Sequence, residues 1–349
     1  MIVILCGIIY KKSSSGNYRM THHKLLMPIT NMYSISELTH KINNAIDSFS
    51  YQSKPERLYE PINYIMSIGG KRIRPVLMLM AYNVWDDDVD KILNQALGLE
   101  FYHNFTLLHD DLMDKSEVRR GKPTVHKKWN DNTAILSGDT MLIMAYKLFG
   151  ENKAYQDFID ATLGVCEGQQ YDMEFENRID VTEEEYMEMI RLKTSLLLGY
   201  ALKIGSILAE ADEEDAMKMY NFGEKMGLAY QIQDDILDVY GDTKLFQKKL
   251  GADIVDNKKT YLLINALNKA NEEQKKELES WIEMESFDVE KKISAVTDIY
   301  NILGIKQYAQ TKVETLFSSA LESLELVNVP NERKLILKEF ANLLLDRKY

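Results

Sequence analysis

The sequence predicts an all-α fold, a bundle of long helices built around one core. Three observations carry this. From residue 36 onward, apolar residues recur at spacings of three and four almost without interruption. The chain has only 17 Gly and 6 Pro in 349 residues, too few for the closely spaced turns of a sandwich or barrel. No convincing alternating strand breaks the pattern.

The elements follow in order. A first helix is predicted from Ser36 to Phe49. A second runs from Leu58 to Ile68 and stops at Gly69-Gly70. One long helix spans Val89 to about Asp114, with Ile92, Leu97, Phe101 and Leu108 on its apolar stripes. Thr133 to Phe149 comes next and ends at Gly150, a helix-terminating residue type. Further helices are expected at about 154–178, 182–210, 213–240, 257–269, 272–285, 287–302, 306–325 and 331–347. Residues 243–256 read as a loop within the domain. No repeat of fixed period is present, and no run of roughly 18 apolar residues predicts a membrane-spanning helix.

The N-terminus stands apart. Met1 to Tyr10 is an apolar run followed by Lys11 and Lys12, and Ser13–Gly16 reads as flexible linker. The run is too short to span a bilayer, and its charge follows the apolar stretch instead of preceding it, unlike a secretory signal. Residues 1–31 are therefore expected to be a disordered upstream extension, with Met32 as the working start and residues 32–349 as one all-α domain. The alternative is a weak membrane-surface anchor. A native N-terminal peptide from residues 2–20, found by mass spectrometry, would sink the first reading.

Composition narrows the function. Apolar residues make up 45% and charged residues 28%, an ordinary globular balance that excludes disorder as the overall state. The net charge of −12 makes the chain a poor non-specific binder of nucleic acid. Cys6 and Cys166 have no metal-ligand spacing and form no disulfide framework, so a reducing, cytoplasmic location is expected.

The chemistry concentrates in two acidic clusters. Asp110-Asp111-Leu112-Met113-Asp114 places three carboxylates within about a 100° arc of one helix, near a C-terminal end where the helix dipole opposes them. The arrangement recurs at Asp234-Asp235-Ile236-Leu237-Asp238, again late in a long helix, with Gly241 just beyond. One such cluster could be a solvated charged face; two, each ending an apolar helix, point to cation binding. Neither has the His or Cys ligands of a zinc site. Oxygen-only ligation suits Mg²⁺; Ca²⁺ stays open, without EF-hand spacing. Basic groups flank both clusters: Lys71, Arg72 and Arg74 after Gly69-Gly70, then Arg119-Arg120, Lys193, Lys248-Lys249 and Lys258-Lys259. Together they look like a site for two polyanionic groups.

The motifs GGKRIRP, HDDLMD…RRGKPTVH, EGQQYD, RLKT, YQIQDDILD and GAD…NKKT, in this order over residues 36–349, resemble the trans-isoprenyl diphosphate synthases, or polyprenyl synthetases. The resemblance implies a bundle of long helices around a deep central cavity, a homodimer, and no integral membrane association. It also implies a reaction joining isopentenyl diphosphate head-to-tail to an allylic diphosphate with release of pyrophosphate. By resemblance Asp110, Asp111, Asp114, Asp234 and Asp238, with Asp235 in the second motif, hold about three Mg²⁺ ions on the allylic diphosphate. Arg119, Lys193, Lys249 and Lys258 would grip that diphosphate, with Lys248 an alternative register for Lys249. Lys71, Arg74, His103 and Arg120 match the isopentenyl diphosphate site. Thr194 and Gln231 match residues lining the allylic cation, and Gln169 and Asp172 match a pair in the same wall. Product length in the family depends on positions four and five before the first motif, here Thr106 and Phe105. On an ideal wheel Thr106 lies roughly in line with Asp110 while Phe105 points well away, so Phe105 as a cavity floor rests on resemblance. A C15 or C20 product is expected. A non-catalytic subunit would be expected to lose motif aspartates, and a terpene cyclase would not need the second diphosphate site.

Overall fold

The computed structural model describes residues 3–5, 8–12, 18–20, 32–49, 54–176, 178–241 and 250–345. They fall into two units, Met1–Met32 and Tyr33–Tyr349. In the first, β1 (Val3–Leu5), β2 (Ile8–Lys12) and β3 (Tyr18–Met20) form an antiparallel sheet, with Val3 opposite Tyr10 and Tyr10 opposite Met20. Most of the extension expected at residues 1–31 lies outside the described residues.

The second unit is helical. α1 (Ile35–Asp47) begins at a capping box in which Ser34 and Glu37 satisfy each other's backbone N–H groups. α2 is Glu56–Ser67. α3 (Ile73–Asn83) is a helix where none was predicted. From Pro75 to Asn83 every residue is buried. A helix apolar on all sides leaves no amphipathic period to read, and its Pro75 sits in the first turn, where the missing N–H costs nothing. The predicted helix from Val89 divides into a 3₁₀ turn, Val89–Ile92, and α4 (Leu93–Met113).

Two short strands, β4 (Val118–Arg119) and β5 (Lys122–Pro123), pair across Arg120-Gly121, both at positive φ. α5 (Val125–Lys128), α6 (Asp131–Phe149) and α7 (Tyr155–Glu176) follow. The predicted helix 182–210 is α8 (Glu183–Ile190), a π-helical turn at Arg191–Ser195, and α9 (Leu196–Leu208). α10 (Glu213–Tyr240) is the longest element. The loop expected near 243–256 contains the short α11 (Ala252–Val255), and α12 (Tyr261–Lys269) starts later than predicted, at the Thr260 cap. α13 (Glu272–Glu283), α14 (Val289–Ile302), α15 (Ile305–Glu325) and α16 (Asn331–Leu345) complete the chain. α10 packs on α9 and α15, α9 on α3, and α4 on α6. The ends of α4 and α10, which carry the acidic clusters, are thereby fixed to a buried scaffold. Among the described residues, no helix is long and apolar enough to cross a membrane.

Candidate active site

The first acidic cluster closes α4, with Asp114 as its C-cap. Its middle member is not free. Asp111 is 1% exposed, and Arg119 Nε donates to both its oxygens at 2.8 Å. Burial pushes the Asp111 carboxyl up to about 6, with the Arg119 charge pulling against it. Asp110 lies 3.6 Å from Arg119 Nη2 and 3.5 Å from Lys193 Nζ, and Lys193 also meets Asp172 at 2.5 Å. Burial would lower the Lys193 ammonium, but Asp172, Asp110 and Asp114 outweigh it and hold it above the usual range. The Asp114 carboxyl is pushed up by desolvation and then by Asp110, with Lys193 and Lys258 opposing.

Lys193 reaches this point because of the π turn. The extra residue in a π turn displaces the side chains around it, a device found mostly at functional sites. Two glycines make room for it. A Cβ on Gly168 of α7 would collide with the Lys193 backbone, and one on Gly227 of α10 would lie 2.8 Å from Ser195 Cα. In the same turn Thr194 Oγ1 is 3.4 Å from Gln231 Oε1.

In the second cluster the middle carboxylate again turns inward. Asp235 is buried and accepts from Tyr186 Oη at 2.5 Å and from the Tyr261 main-chain N–H at 2.9 Å. Burial pushes it up to about 7 against these two hydrogen bonds. Asp238 accepts from the Asp253 N–H at 3.0 Å through Oδ2, and its main-chain oxygen accepts from Gly251 at 2.7 Å. This fastens the GAD segment to α10. Asp253 of the GAD motif joins the site, which its spacing alone does not show: burial and then Asp238 push its carboxyl up to about 6, against Lys258. Lys258 in turn feels Asp253, Asp172 and Asp114, which hold its ammonium above the usual range despite burial. The two clusters thus act on one space. The Lys258 segment is tied from behind by Asn257, whose Oδ1 accepts from the buried Lys292 Nζ at 2.6 Å. Lys249 and the alternative Lys248 lie outside the described residues.

The cationic wall is separate. Arg74 Nη1 is 3.2 Å from His103 Nε2. Arginine can only donate, so Nε2 accepts and the imidazole proton sits on Nδ1. Desolvation first, and then Arg74, Arg120, Arg119 and Arg72, hold His103 well below its usual range. It is a neutral imidazole among cations. Arg74 Nε is buried without a hydrogen-bond partner. Arg120 Nη1 donates to the Gly69 carbonyl, and a Cβ on Gly70 would lie 2.8 Å from that nitrogen. Gly70 is therefore required both for its φ of +147° and for the space Arg120 fills. Arg72, given no role by sequence, forms a buried ion pair with Glu100 at 2.6 Å. Lys71 is exposed at the start of the segment.

Between α4 and α7 lies a cleft of about 180 Å³ whose lining includes Phe105, Thr106, Asp110, Met113, Cys166 and Gln169. Cys166 is a free thiol there. Phe105 lines the same cleft as Asp110, although the wheel turns it away. Its ring lies between Tyr102, 5.7 Å off, and His109, 4.8 Å off.

The donor set fits a hard divalent cation. It is all carboxylate, and Asp114 and Asp253 are both held high by burial and then by a neighbouring carboxylate, whose repulsion a cation relieves. Asp111 and Asp235 are buried against protein partners, whereas Asp110 and Asp238 are partly exposed and Asp114 and Asp234 exposed. Among the described residues no three such side chains already form a cage. Mg²⁺ typically takes one or two carboxylates and completes its shell with water and phosphate oxygens.

The fold and site define a class: an all-α protein with two acidic clusters, basic groups facing them and a cleft beside the first. Its sequence matches the polyprenyl synthetase family over residues 55–300. It is 33% identical over 332 residues to the geranylgeranyl diphosphate synthase of Methanosarcina mazei, covering 93% of this chain and 100% of the relative. Identity to the geranylfarnesyl diphosphate synthase of Natronomonas pharaonis is also 33%, over 341 residues, 90% of this chain and 97% of the relative. A crystal structure of a geranylgeranyl pyrophosphate synthase superposes with a TM-score of 0.86 at 39% identity, covering 91% of this chain and 100% of that one. This chain belongs to the polyprenyl synthetase family.

Proposed function

We propose that the protein condenses isopentenyl diphosphate head-to-tail with an allylic diphosphate, in a Mg²⁺-dependent reaction, to give a short-chain trans-prenyl diphosphate and pyrophosphate. The observation that carries this reading is the division of the site. One wall has paired carboxylates with Lys193 and Lys258; the other has Arg74, His103 and Arg120 and no carboxylate ligand set. One diphosphate needs cations to leave, and the other needs only to be held.

Asp110, Asp114, Asp234 and Asp238 would hold the Mg²⁺, which when bound neutralises charge on the departing diphosphate. Lys193 and Lys258 face the same group and stabilise the charge that grows on its bridging oxygen. The allylic C–O bond breaks and its electron pair leaves with the diphosphate. Thr194 and Gln231 line the position of the resulting cation. On the second wall Arg74, Arg120 and Lys71 fix isopentenyl diphosphate, and neutral His103 adds hydrogen bonding without further charge. That placement makes attack by its double bond effectively intramolecular. Loss of a proton from the adjacent carbon ends the step, with the departing pyrophosphate as the base.

A C15 or C20 product fits Phe105 closing the cleft beside a small Thr106. A homodimer would cover the exposed Ile135, Leu136 and Ile143 of α6, an apolar face of the kind that marks protein contacts. A cytoplasmic location fits the free Cys166. The test is incubation with Mg²⁺, labelled isopentenyl diphosphate and each allylic primer from C5 to C15. A C15 or C20 product abolished by chelator is expected; no condensation with any primer overturns the reading.

A further inference from the structure

Asp110 lines the cleft between α4 and α7, and much of the wall around it is apolar. A prenyl chain whose diphosphate is held at the acidic clusters would run along this wall, so the inference rests on the function proposed above. Phe105 stands in its path. The Phe105 ring is backed by His109, one helical turn further on and itself part of the cleft lining, whose imidazole meets it edge-on with centroids 4.8 Å apart. His109 is itself fixed at its far end, where Nε2 lies 3.2 Å from the Ile135 carbonyl oxygen on α6. A carbonyl only accepts, so this imidazole carries its proton on Nε2. The imidazole reaches that carbonyl through a slot left by Gly138: a Cβ there would overlap Nε2 and Cδ2 of His109. Gly138 is buried in α6, where glycine otherwise weakens a helix. The missing side chain is explained by the ring that occupies its place.

We propose that His109, seated on Gly138, is a specificity-determining residue that sets the depth of the cleft by holding Phe105. Product length is then a property of the three positions together and not of Phe105 alone. His109 needs no contact with the reacting atoms for this.

The test is product sizing with Mg²⁺, isopentenyl diphosphate and geranyl or farnesyl diphosphate. In His109→Ala, Phe105 loses its backing and the main product lengthens by at least one five-carbon unit. In Gly138→Ala, the new methyl group drives the imidazole toward Phe105 and the product shortens. His109→Gln, which keeps a donor for Ile135, retains the wild-type length. In the double variant His109→Ala/Gly138→Ala the shortening disappears, because its cause is gone. Should His109→Ala fail to fold by thermal melting, Gly138→Ala and His109→Gln decide, since the methyl group meets a side-chain tip and not backbone. Unchanged length in both single alanine variants of a condensing enzyme overturns the proposal. So does a shortening by Gly138→Ala that persists without His109. Failure of the wild-type protein to condense at all would instead overturn the function.

Discussion

The two aspartate clusters share one spelling but are anchored by different physics. In both, the middle carboxylate turns away from the cavity into the protein. Asp111 is held by a charge, the Arg119 guanidinium at the β4–β5 turn. Asp235 is held by two neutral donors, Tyr186 Oη and the Tyr261 N–H. Burial raises both carboxyls, Asp111 to about 6 with Arg119 opposing it and Asp235 to about 7 with only the two neutral donors opposing it. A repeated motif therefore does not imply a repeated environment. The first cluster depends on a loop cation, and the second on the packing of α8 and α12 against α10.

This contrast can be broken most severely at Arg119. Arg119→Met leaves a buried carboxylate without its cation. We expect a loss of about 3 kcal/mol in urea unfolding and at least about 100-fold in condensation rate. Asp111→Asn removes the buried charge that Arg119 pairs with and should cost activity about tenfold more than Asp235→Asn. An amide can still accept from Tyr261, so equal losses in parallel assays would erase the distinction. Tyr186→Phe is smaller, about 1–3 kcal/mol in the same unfolding measurement, with activity less affected than stability.

The smallest effect concerns pH and the opposite wall. His103 is held below its ordinary 6.5 in the folded protein. The unfolded chain therefore binds the extra proton first as pH falls. The stability linked to neutral His103 is complete above 6.5 and is lost progressively below it. In His103→Gln, which can still accept from Arg74 and does not titrate, the fall in melting temperature between about pH 7 and pH 5 should be shallower. An identical slope would mean that His103 contributes nothing to it.

Much of this was legible in the sequence, for identifiable reasons. The amphipathic helices announced themselves by period, and the aspartates by spacing at helix ends. α3 did not, because burial on every side from Pro75 to Asn83 erases the period that marks a helix. The π turn was hidden inside an apolar run, although Gly168 and Gly227, the glycines that accommodate it, were in plain sight. Helical spacing placed Asp110, Asp111 and Asp114 on one arc but could not say that Asp111 faces Arg119. Nor could it place Phe105, whose long ring reaches the cleft from a Cα that points elsewhere. Asp253 and Arg72 were written in the motifs, yet their partners Asp238 and Glu100 are set by tertiary packing.

The free thiol of Cys166 gives this enzyme a built-in reporter. It lies on the cleft wall with Phe105 and Gln169, so a bound prenyl chain and a bulky alkylating reagent would compete for the same space. The alkylation rate of the peptide containing Cys166, followed by mass spectrometry, would then count occupied clefts directly, without turnover and without a labelled substrate.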